Sequence, residues 1–312
     1  MGKELLAVVG LTCTGKGKLA LALADALGGP DAVSIIVCDS TKVYRGADVG
    51  TAKLTGAARR GYEFLMVDVV DAGTLYSAGR YMTEGRAACE ETWARGRLAL
   101  VVGGSGLYFR ALVDGISEAP AADADVRASL QARRAAGEDL HKRLREVDAE
   151  AAARISPADE KRITRALEVY ELTGVPLAEI HSRGARPLEA ERVAAVALDA
   201  SRPWLAERVE ERTRRMFARG LRAETALLMA EVEDPAAPPL NAIGYRQAVQ
   251  LLGGELDEQT AFTDIVRGTL RLAKRQRTWF KKEKRATHLN AAEGPERLTE
   301  YILGLWEALL QN

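Results

Sequence analysis

The sequence contains few of the residues that form disulfides and metal centres. Among its 312 residues are three cysteines and three histidines. Cys13, Cys38 and Cys89 form no CxxC pair and leave an odd count, which predicts free thiols in a cytoplasmic protein. The histidines show no spacing typical of metal ligands. These absences argue against a disulfide framework and against a metal centre built from cysteine and histidine.

Long apolar runs are also absent. No stretch of about 18 uninterrupted apolar residues exists, which predicts that the chain does not span a membrane. The start, MGKELLAVVGLTC, reaches a glycine too early for a signal peptide and predicts a first strand instead. Apolar residues make up 47% and charged residues 28%, which is typical of a globular protein. The length predicts one large α/β domain with a smaller lobe.

The sequence has no net charge, but its charge is unevenly distributed. It contains 44 lysines and arginines against 44 acidic residues. Between Arg267 and Arg285, however, nine basic residues stand beside a single acid, Glu283. A strongly basic segment in a neutral chain predicts a local site for a polyanion.

Short apolar runs alternate with helical patterns along much of the chain. This alternation predicts an α/β fold with a parallel sheet, in which ligands bind beyond the carboxyl ends of the strands. The predicted strands are Leu5–Val9, Val33–Cys38, Met66–Val70, Leu98–Val102 and Arg192–Leu198.

The middle of the chain shows helical patterns only, from Asp123 to about His181. We therefore predict a core in two parts, residues 1–118 and 191–312, with a helical insertion domain at 119–190. The second part is predicted to end in helices, after a proline-rich loop at residues 235–239.

The motif GLTCTGK follows the first predicted strand and precedes a helix. Backbone amides of such a phosphate loop (P-loop) converge on an anion, and its lysine adds a full charge. A glycine turn that happens to precede a lysine is the alternative. The predicted phosphate-binding residues are Gly10, Thr12, Cys13, Thr14, Gly15, Lys16 and Gly17.

Gly17 departs from this pattern, in which a Ser or Thr hydroxyl normally contacts Mg²⁺. The ligands of Mg²⁺ would then be substrate phosphates, water and other nearby groups, with Thr14 and Ser40 as candidates.

Two further segments end at the same predicted sheet edge. Asp39 follows a buried strand, where a carboxylate can hold Mg²⁺ through water or accept a proton, although it can also cap a helix. The segment GGSG brings the Ser105 hydroxyl and exposed amides there, with a tight turn as the alternative. Together with the P-loop these residues predict a transferase that handles phosphates, without specifying which group it transfers.

The chain resembles the bacterial tRNA dimethylallyltransferases, also called IPP transferases, through almost every segment in order. The matching motifs are GLTCTGK, DSTKVYRGADVGTAK, LYSAGRY, VVGGSGLYFRAL, RITRALEVYELTGVPL, NAIGYRQ and LAKRQRTWFKK. The last two have no place in a simple nucleoside kinase. The resemblance implies a P-loop core with a helical insertion.

The resemblance also implies a reaction. The P-loop would hold the pyrophosphate of dimethylallyl diphosphate with Mg²⁺, and a flipped-out adenine would enter a channel. The dimethylallyl group would pass to N6 of adenosine 37, beside the anticodon, while Asp39 takes the proton and Ser105 positions the substrates. Lys16 and the loop amides would stabilise the leaving pyrophosphate.

Contacts to the tRNA anticodon stem-loop are implied as well. The basic residues between Arg267 and Arg285 recur at about one face of a helix, and Gln276 can read a base edge. A solvated charge run is the alternative, and Trp279 and Phe280 can pack on the core. The predicted tRNA-binding residues are Ser40, Thr41, Lys42, Arg127, Lys161, Arg162, Arg165, Tyr245, Lys274, Arg275 and Gln276. For Arg127 and residues 161–165, surface ion pairs are the alternative. Tyr245 can instead be a structural aromatic near the channel, and base stacking is the alternative for Trp279 and Phe280. We expect a monomer.

Four departures from the family pattern leave other functions open. Besides Gly17, Lys42 replaces a glutamine, Phe64-Leu65 replace a histidine pair and Leu270 replaces an arginine. These changes are compatible with a tRNA-binding relative that has little or no catalysis. A third hypothesis is an adenylate-type isopentenyltransferase or nucleotide kinase, although a mononucleotide does not need nine cations along one segment.

Overall fold

The computed structural model describes residues 2–234 and 237–311. The chain forms two compact units, one of Met1–Leu112 with Leu188–Asn312 and one of Val113–Pro187. We call the first the core unit and the second the helical unit. The helical insertion predicted from the sequence, residues 119–190, starts and ends later in the chain than the helical unit.

A parallel sheet lies at the centre of the core unit. In the described residues it has six strands, in the order β3-β2-β4-β1-β5-β6, and every neighbouring pair is parallel. The predicted α/β fold is thereby confirmed. The strands are β1 (Glu4–Gly10), β2 (Val33–Cys38), β3 (Phe64–Leu65), β4 (Leu98–Gly103), β5 (Arg192–Asp199) and β6 (Ala286–Asn290).

Thirteen α-helices occur within the described residues. In chain order they are α1 (Lys16–Ala26), α2 (Ala78–Ala94), α3 (Gly106–Val113), α4 (Ala124–Ala135), α5 (Leu140–Val147), α6 (Ala149–Arg154), α7 (Glu160–Thr173), α8 (Leu177–Ser182), α9 (Arg202–Ala218), α10 (Leu221–Glu231), α11 (Tyr245–Leu252), α12 (Glu258–Phe280) and α13 (Pro295–Leu310). Helices α4 to α8 belong to the helical unit, whose apolar cluster is its own.

Strands β1, β2 and β4 are continuous apolar runs because both faces of a parallel sheet are covered. All their residues are buried. Leu19 and Leu23 of α1 share one cluster with these strands and with Trp306 of α13. This packing gives the loops at the carboxyl edge of the sheet a rigid support.

Two predicted elements were wrong. The third strand was predicted at Met66–Val70 but is confined to Phe64–Leu65. Met66 and Asp68 have φ angles of 61° and 57°, a left-handed conformation that ends a strand. The last part of the chain was predicted to be helical only. Instead α12 ends at Phe280, and the residues after the basic segment form β6 beside β5.

The remaining sequence expectations concern loops, thiols and membranes. The three cysteines are free thiols, and burial raises the pKa of Cys38 and of Cys89 to about 12. Residues 235 and 236 of the predicted loop lie outside the described residues, and residues 237–239 form no helix or strand. No helix in the described ranges is long and apolar enough to span a membrane.

Candidate active site

The P-loop lies between β1 and α1, as its motif predicts. Gly10 has a φ of 118°, and a Cβ there would stand 2.3 Å from the carbonyl oxygen of Leu198 in β5, so only glycine fits. Gly15, also left-handed, caps α1. The Thr14 hydroxyl donates to the Leu11 carbonyl at 2.7 Å, and the Lys16 ammonium donates to the same oxygen. The loop is therefore closed on itself at the amino end of a helix.

Asp39 and Ser105 leave adjacent strands at the same sheet edge. The Asp39 Oδ1 atom accepts from the backbone N–H and the hydroxyl of Thr41, at 3.0 and 2.8 Å. The Ser105 hydroxyl oxygen accepts from the Ser40 N–H at 3.1 Å and lies 3.2 Å from the Ser40 hydroxyl. The described part of the chain contributes no hydrogen bond to Asp39 Oδ2. That oxygen is thus available to a bound molecule.

A cavity of about 1410 Å³ in the core unit joins these segments. Most of the residues predicted for the site line it together: Thr12, Cys13, Gly15, Lys16, Gly17, Asp39, Ser40, Thr41, Lys42, Ser105, Arg275 and Gln276. Gly10, Thr14, Tyr245 and Lys274 do not line it. One part of the wall is apolar, with Val37, Leu54, Phe64 and Val102. The cavity therefore combines an anion site, a carboxylate and an apolar surface.

The cavity has a large surplus of positive charge. Eleven lysines and arginines line it, against Asp39 and Glu211. Two of the eleven are ion-paired, Lys53 with Asp48 and Asp68 and Arg215 with Glu211. The other nine have no ion pair with any described residue: Lys16, Lys18, Lys42, Arg208, Arg212, Arg219, Arg246, Arg271 and Arg275.

The arginines of α9 and α11 were missed by the sequence analysis. Arg208, Arg212 and Arg215 recur at helical spacing on α9, and Arg219 continues the series just beyond it. This periodicity was a signal that could have been found. The Arg212 guanidinium donates to the Thr12 hydroxyl at 3.0 Å and so reaches the P-loop itself. With Arg246 of α11 and with Arg271 and Arg275 of α12, these residues give the cavity three arginine-bearing helices.

Burial and nearby cations lower the pKa values of two lysines in the free site. Burial, followed by the positive charge of Lys42, lowers the pKa of Lys16 to about 7. Burial also lowers the pKa of Lys42, although Asp39 acts in the opposite direction. A bound anion would relieve the repulsion and favour the charged form of both lysines.

Gln276 joins α12 to the P-loop. Its Oε1 atom accepts from the Thr12 N–H at 2.8 Å, and its Nε2 atom donates to the Gly104 carbonyl at 3.0 Å. The Gln276 amide thus bridges two loops, and its role in reading a base edge stays a prediction. The next residue, Arg277, forms a bidentate ion pair with Asp199. These contacts hold α12 against the carboxyl edge of the sheet.

Comparisons with known proteins agree with this geometry. The family model described as IPP transferase matches residues 42–283. The chain belongs to the IPP transferase family. A tRNA dimethylallyltransferase of Halorhodospira halophila is 40% identical over 309 residues, 97% of this chain and 98% of the relative. One from Salinispora tropica is 41% identical, covering 92% and 88% of the two chains.

A solved structure of the family has the same fold. The crystal structure of the full-length tRNA isopentenylpyrophosphate transferase from Bacillus halodurans superposes with a TM-score of 0.69. It is 30% identical, and the match covers 99% of this chain and 98% of that chain. The resemblance seen in the sequence motifs and the P-loop fold that it implies are thus confirmed.

The departures from the family pattern have different structural settings. A Cβ on Gly17 would lie 3.4 Å from Leu54 Cδ1, an ordinary contact, so packing does not require glycine. Phe64 forms β3 and lines the cavity. Leu270 packs with the apolar cluster of Leu11, Leu205, Val209 and Ala273, where its side chain suits the surroundings.

A divalent metal finds few ligands here. Within residues 2–234 and 237–311 no group of three His, Cys, Asp or Glu side chains is suited to a metal ion. Gly17 offers no hydroxyl, the Thr14 hydroxyl is bonded to a carbonyl, and most of the charged side chains that line the cavity are cations. The side chains therefore do not fit an Mg²⁺ ion held by the protein, although a diphosphate and water can still carry one.

Several predicted tRNA contacts lie elsewhere. Arg127 and Arg165, in the helical unit, both bind the buried carboxylate of Glu168, at 2.8 and 2.6 Å. Arg162 pairs with Asp159 at 3.5 Å, while Lys161 is exposed. Their proposed contacts with RNA stay predictions.

Tyr245 is a correction to the predicted tRNA contacts. It is fully buried, and its hydroxyl donates to Glu224 at 2.5 Å and accepts from the Gly50 N–H at 3.1 Å. Glu224 also accepts from the N–H groups of Asp48 and Val49. Tyr245 therefore supports the loop after β2 instead of facing RNA.

The basic segment is also shaped differently from the prediction. It does not continue as one helical face to Arg285, because α12 ends at Phe280 and Arg285 pairs with Glu283. Phe280 is buried, whereas Trp279 is 37% exposed and lines the cavity. The part of the segment that faces the cavity is thus limited to one face of α12.

Proposed function

We propose that this protein transfers a dimethylallyl group from dimethylallyl diphosphate to N6 of adenosine 37 in tRNA and releases pyrophosphate. The observation that carries the proposal is the single cavity in which a P-loop, the Asp39 carboxylate, an apolar wall and unpaired arginines meet. Membership of the IPP transferase family supports the same reaction.

The diphosphate suits the P-loop end of the cavity. The amides at the start of α1 offer hydrogen bonds, and Lys16 and Arg212 add positive charge. These groups stabilise the charge that develops on the leaving pyrophosphate. The dimethylallyl group would contact the apolar wall formed by Val37, Leu54, Phe64 and Val102.

The chemistry requires one proton acceptor. The N6 amine attacks C1 of the dimethylallyl group, the bond from C1 to the diphosphate oxygen breaks, and a proton leaves N6. We assign that proton to Asp39 Oδ2, and the contacts of Thr41 with Oδ1, which leave Oδ2 without a hydrogen bond from the described residues, support the assignment. The Ser105 hydroxyl, bonded to Ser40, would position the substrates beside it.

The acceptor tRNA accounts for the unpaired arginines. Phosphates of an anticodon stem-loop would bind Arg271 and Arg275 of α12, with Arg208 of α9 and Arg246 of α11 at the same cavity. Lys274, exposed on α12, and Ser40, Thr41 and Lys42 at the cavity wall remain proposed tRNA contacts. Since tRNA is the acceptor, the protein would act in the cytoplasm. A monomer stays the prediction for its oligomeric state.

Labelled dimethylallyl diphosphate tests the proposal with tRNA and AMP as rival acceptors. We expect label in tRNA at the adenosine beside the anticodon, and none in AMP. Lys16→Ala should abolish transfer because it removes the ammonium that the P-loop itself carries. Label in AMP would favour an adenylate-type isopentenyltransferase. Binding of tRNA without any transfer would favour a relative that binds tRNA without catalysis.

A further inference from the structure

We infer that the Lys42 ammonium neutralises the bound diphosphate, together with Lys16 and Arg212, in place of a metal ion held by the protein. The inference rests on the proposed function, because it concerns the diphosphate of the same site. It predicts that diphosphate binds this protein with little dependence on Mg²⁺, and that Lys42 is the residue responsible.

The first argument is the loss of metal ligands. The position after the P-loop lysine is Gly17, which has no side-chain oxygen. The nearby Thr14 hydroxyl is buried and donates to the Leu11 carbonyl. Asp39 is one of two carboxylates that line the cavity, and one of its oxygens is occupied by Thr41. Mg²⁺ prefers several oxygen ligands, which these side chains do not supply.

The second argument is the gain of a cation at the same site. Lys42, Lys16 and Arg212 all line the cavity. They are close enough for the charge of Lys42 to lower the pKa of Lys16, and for that of Arg212 to lower the pKa of both lysines. Cations held together by the fold in this way form a site already prepared for a multiply charged anion.

Lys53 shows what a structural lysine looks like in the same loop. Its ammonium is fully buried and ion-paired with Asp48 and Asp68, at 2.9 and 2.6 Å. Lys42 has no such carboxylate partner among the described residues, and its ammonium donates only to the Ala52 carbonyl, at 3.4 Å. The charge of Lys53 is therefore consumed by the fold, whereas that of Lys42 is available to a ligand.

The departures at Gly17 and Lys42 can be reversed one at a time by substitution. A side chain at Gly17 would meet Leu54 at an ordinary contact distance, so Gly17→Thr can be introduced. Lys42→Gln removes the cation and keeps much of the side-chain length. The double variant should therefore exchange the cation for a metal-ligating hydroxyl.

Calorimetric titration of the full chain with inorganic pyrophosphate tests the inference, in EDTA and in MgCl₂. Since Mg²⁺ also binds pyrophosphate in solution, the ratio of the two dissociation constants is compared between variants. For the natural chain we expect a ratio within about threefold of one. The Lys42→Gln variant should bind pyrophosphate about tenfold more weakly than the natural chain in EDTA. The same variant should bind pyrophosphate much more tightly in MgCl₂ than in EDTA. The double variant Gly17→Thr/Lys42→Gln should depend on Mg²⁺ most strongly.

Two further variants serve as controls. Lys42→Arg should keep the ratio of the natural chain, because it retains the charge. Lys142→Gln, an exposed lysine of the helical unit, makes the same charge change away from the cavity and should alter nothing. Thermal unfolding of each variant shows that it is folded.

Equal ratios for the natural chain and Lys42→Gln would overturn the inference, as would a more than tenfold loss of affinity of the natural chain in EDTA. If the natural chain bound no pyrophosphate in either condition, the inference and the P-loop assignment would both fall. Pyrophosphate binding that behaves as expected, without transfer to tRNA, would contradict the proposed transfer reaction and leave the inference about Lys42 intact.

Discussion

The arginines of the helical unit differ in their surroundings from the arginines that line the cavity of the core unit. In the helical unit eight arginines are ion-paired with acidic residues of the same unit: Arg127, Arg133, Arg134, Arg143, Arg154, Arg162, Arg165 and Arg183. Along the cavity of the core unit, Arg208, Arg212, Arg219, Arg246, Arg271 and Arg275 have no acidic partner among the described residues. The first set stabilises helices, and the second leaves a positive field.

This difference shows that the role of a cation depends on its partner and not on local composition. Glu168, whose side chain is fully buried, accepts from Arg127, Arg165 and the Asp123 N–H. Burial tends to raise its pKa, but these hydrogen bonds prevail and lower it. A neutral total of 44 against 44 thus conceals one unit with internal pairing and one cavity with a surplus.

The largest expected effect comes from Asp39, one of the two carboxylates that line the cationic cavity. Asp39→Asn should reduce single-turnover transfer by a factor of about 10² to 10⁴, because a positioned base is lost. Binding of tRNA should barely change, since the arginines remain. Single-turnover transfer assays and filter binding measure the two quantities. A nearly normal rate would move the role of the base to another residue.

The ion pairs of the helical unit can be tested by removing the Glu168 carboxylate. Glu168→Ala should lower the free energy of unfolding by about 2–3 kcal/mol, because two ion pairs with partly exposed arginines and a helix-capping acceptor are lost. Glu150→Ala removes an exposed pair with Arg154 and should cost less than about 0.5 kcal/mol. Urea unfolding followed by circular dichroism measures both. Equal losses would show that the buried carboxylate has no special role.

The salt dependence of tRNA binding tests the cavity arginines that have no acidic partner among the described residues. Replacing Arg271 and Arg275 with glutamine should flatten the log–log slope by about 1.4 to 1.8, because two phosphate contacts are lost. Filter binding at several salt concentrations measures the slope. Dimethylallyl diphosphate binding should be unchanged.

The matched control for this test is the replacement of Arg127 and Arg165 with glutamine. Their pairing with Glu168 predicts an unaltered slope. A similar flattening would show instead that they contact RNA, as the family resemblance implies. An unaltered slope in the Arg271 and Arg275 variant would show that these two arginines do not contact tRNA phosphates.

The smallest effect concerns pH. In the free site the pKa of Lys16 is lowered to about 7, and a bound diphosphate raises it by favouring the charged form. Above pH 7, binding of the diphosphate should therefore be accompanied by proton uptake on Lys16. The affinity for the diphosphate should fall by less than about tenfold per pH unit as the pH rises. Calorimetry at pH 8 in buffers with different ionisation enthalpies measures the uptake. Lys42→Gln should reduce it, and zero uptake in the natural chain would contradict the prediction.

The sequence was informative where the signal was local. The glycine spacing of the P-loop, the buried strand before Asp39 and the serine of GGSG each lie within a few residues, and parallel strands bring such ends to one edge. The prediction of the third strand failed because apolar residues suggested a strand where Met66 and Asp68 adopt left-handed backbone. Tyr245 is the buried structural aromatic that was the alternative to a tRNA contact, and its motif alone does not decide between the two.

The sequence by itself determined the family, the α/β sheet, the helical segment and the identity of the residues at the strand ends, because apolar periodicity and motif spacing are properties of neighbouring residues. Only the tertiary structure decided which cations are free. Arg212 reaches Thr12 across 200 positions, and Gln276 reaches the same residue across 264. Charge neutralisation depends on such distant contacts, since an ion pair needs its partner within a few ångströms in space and not in sequence.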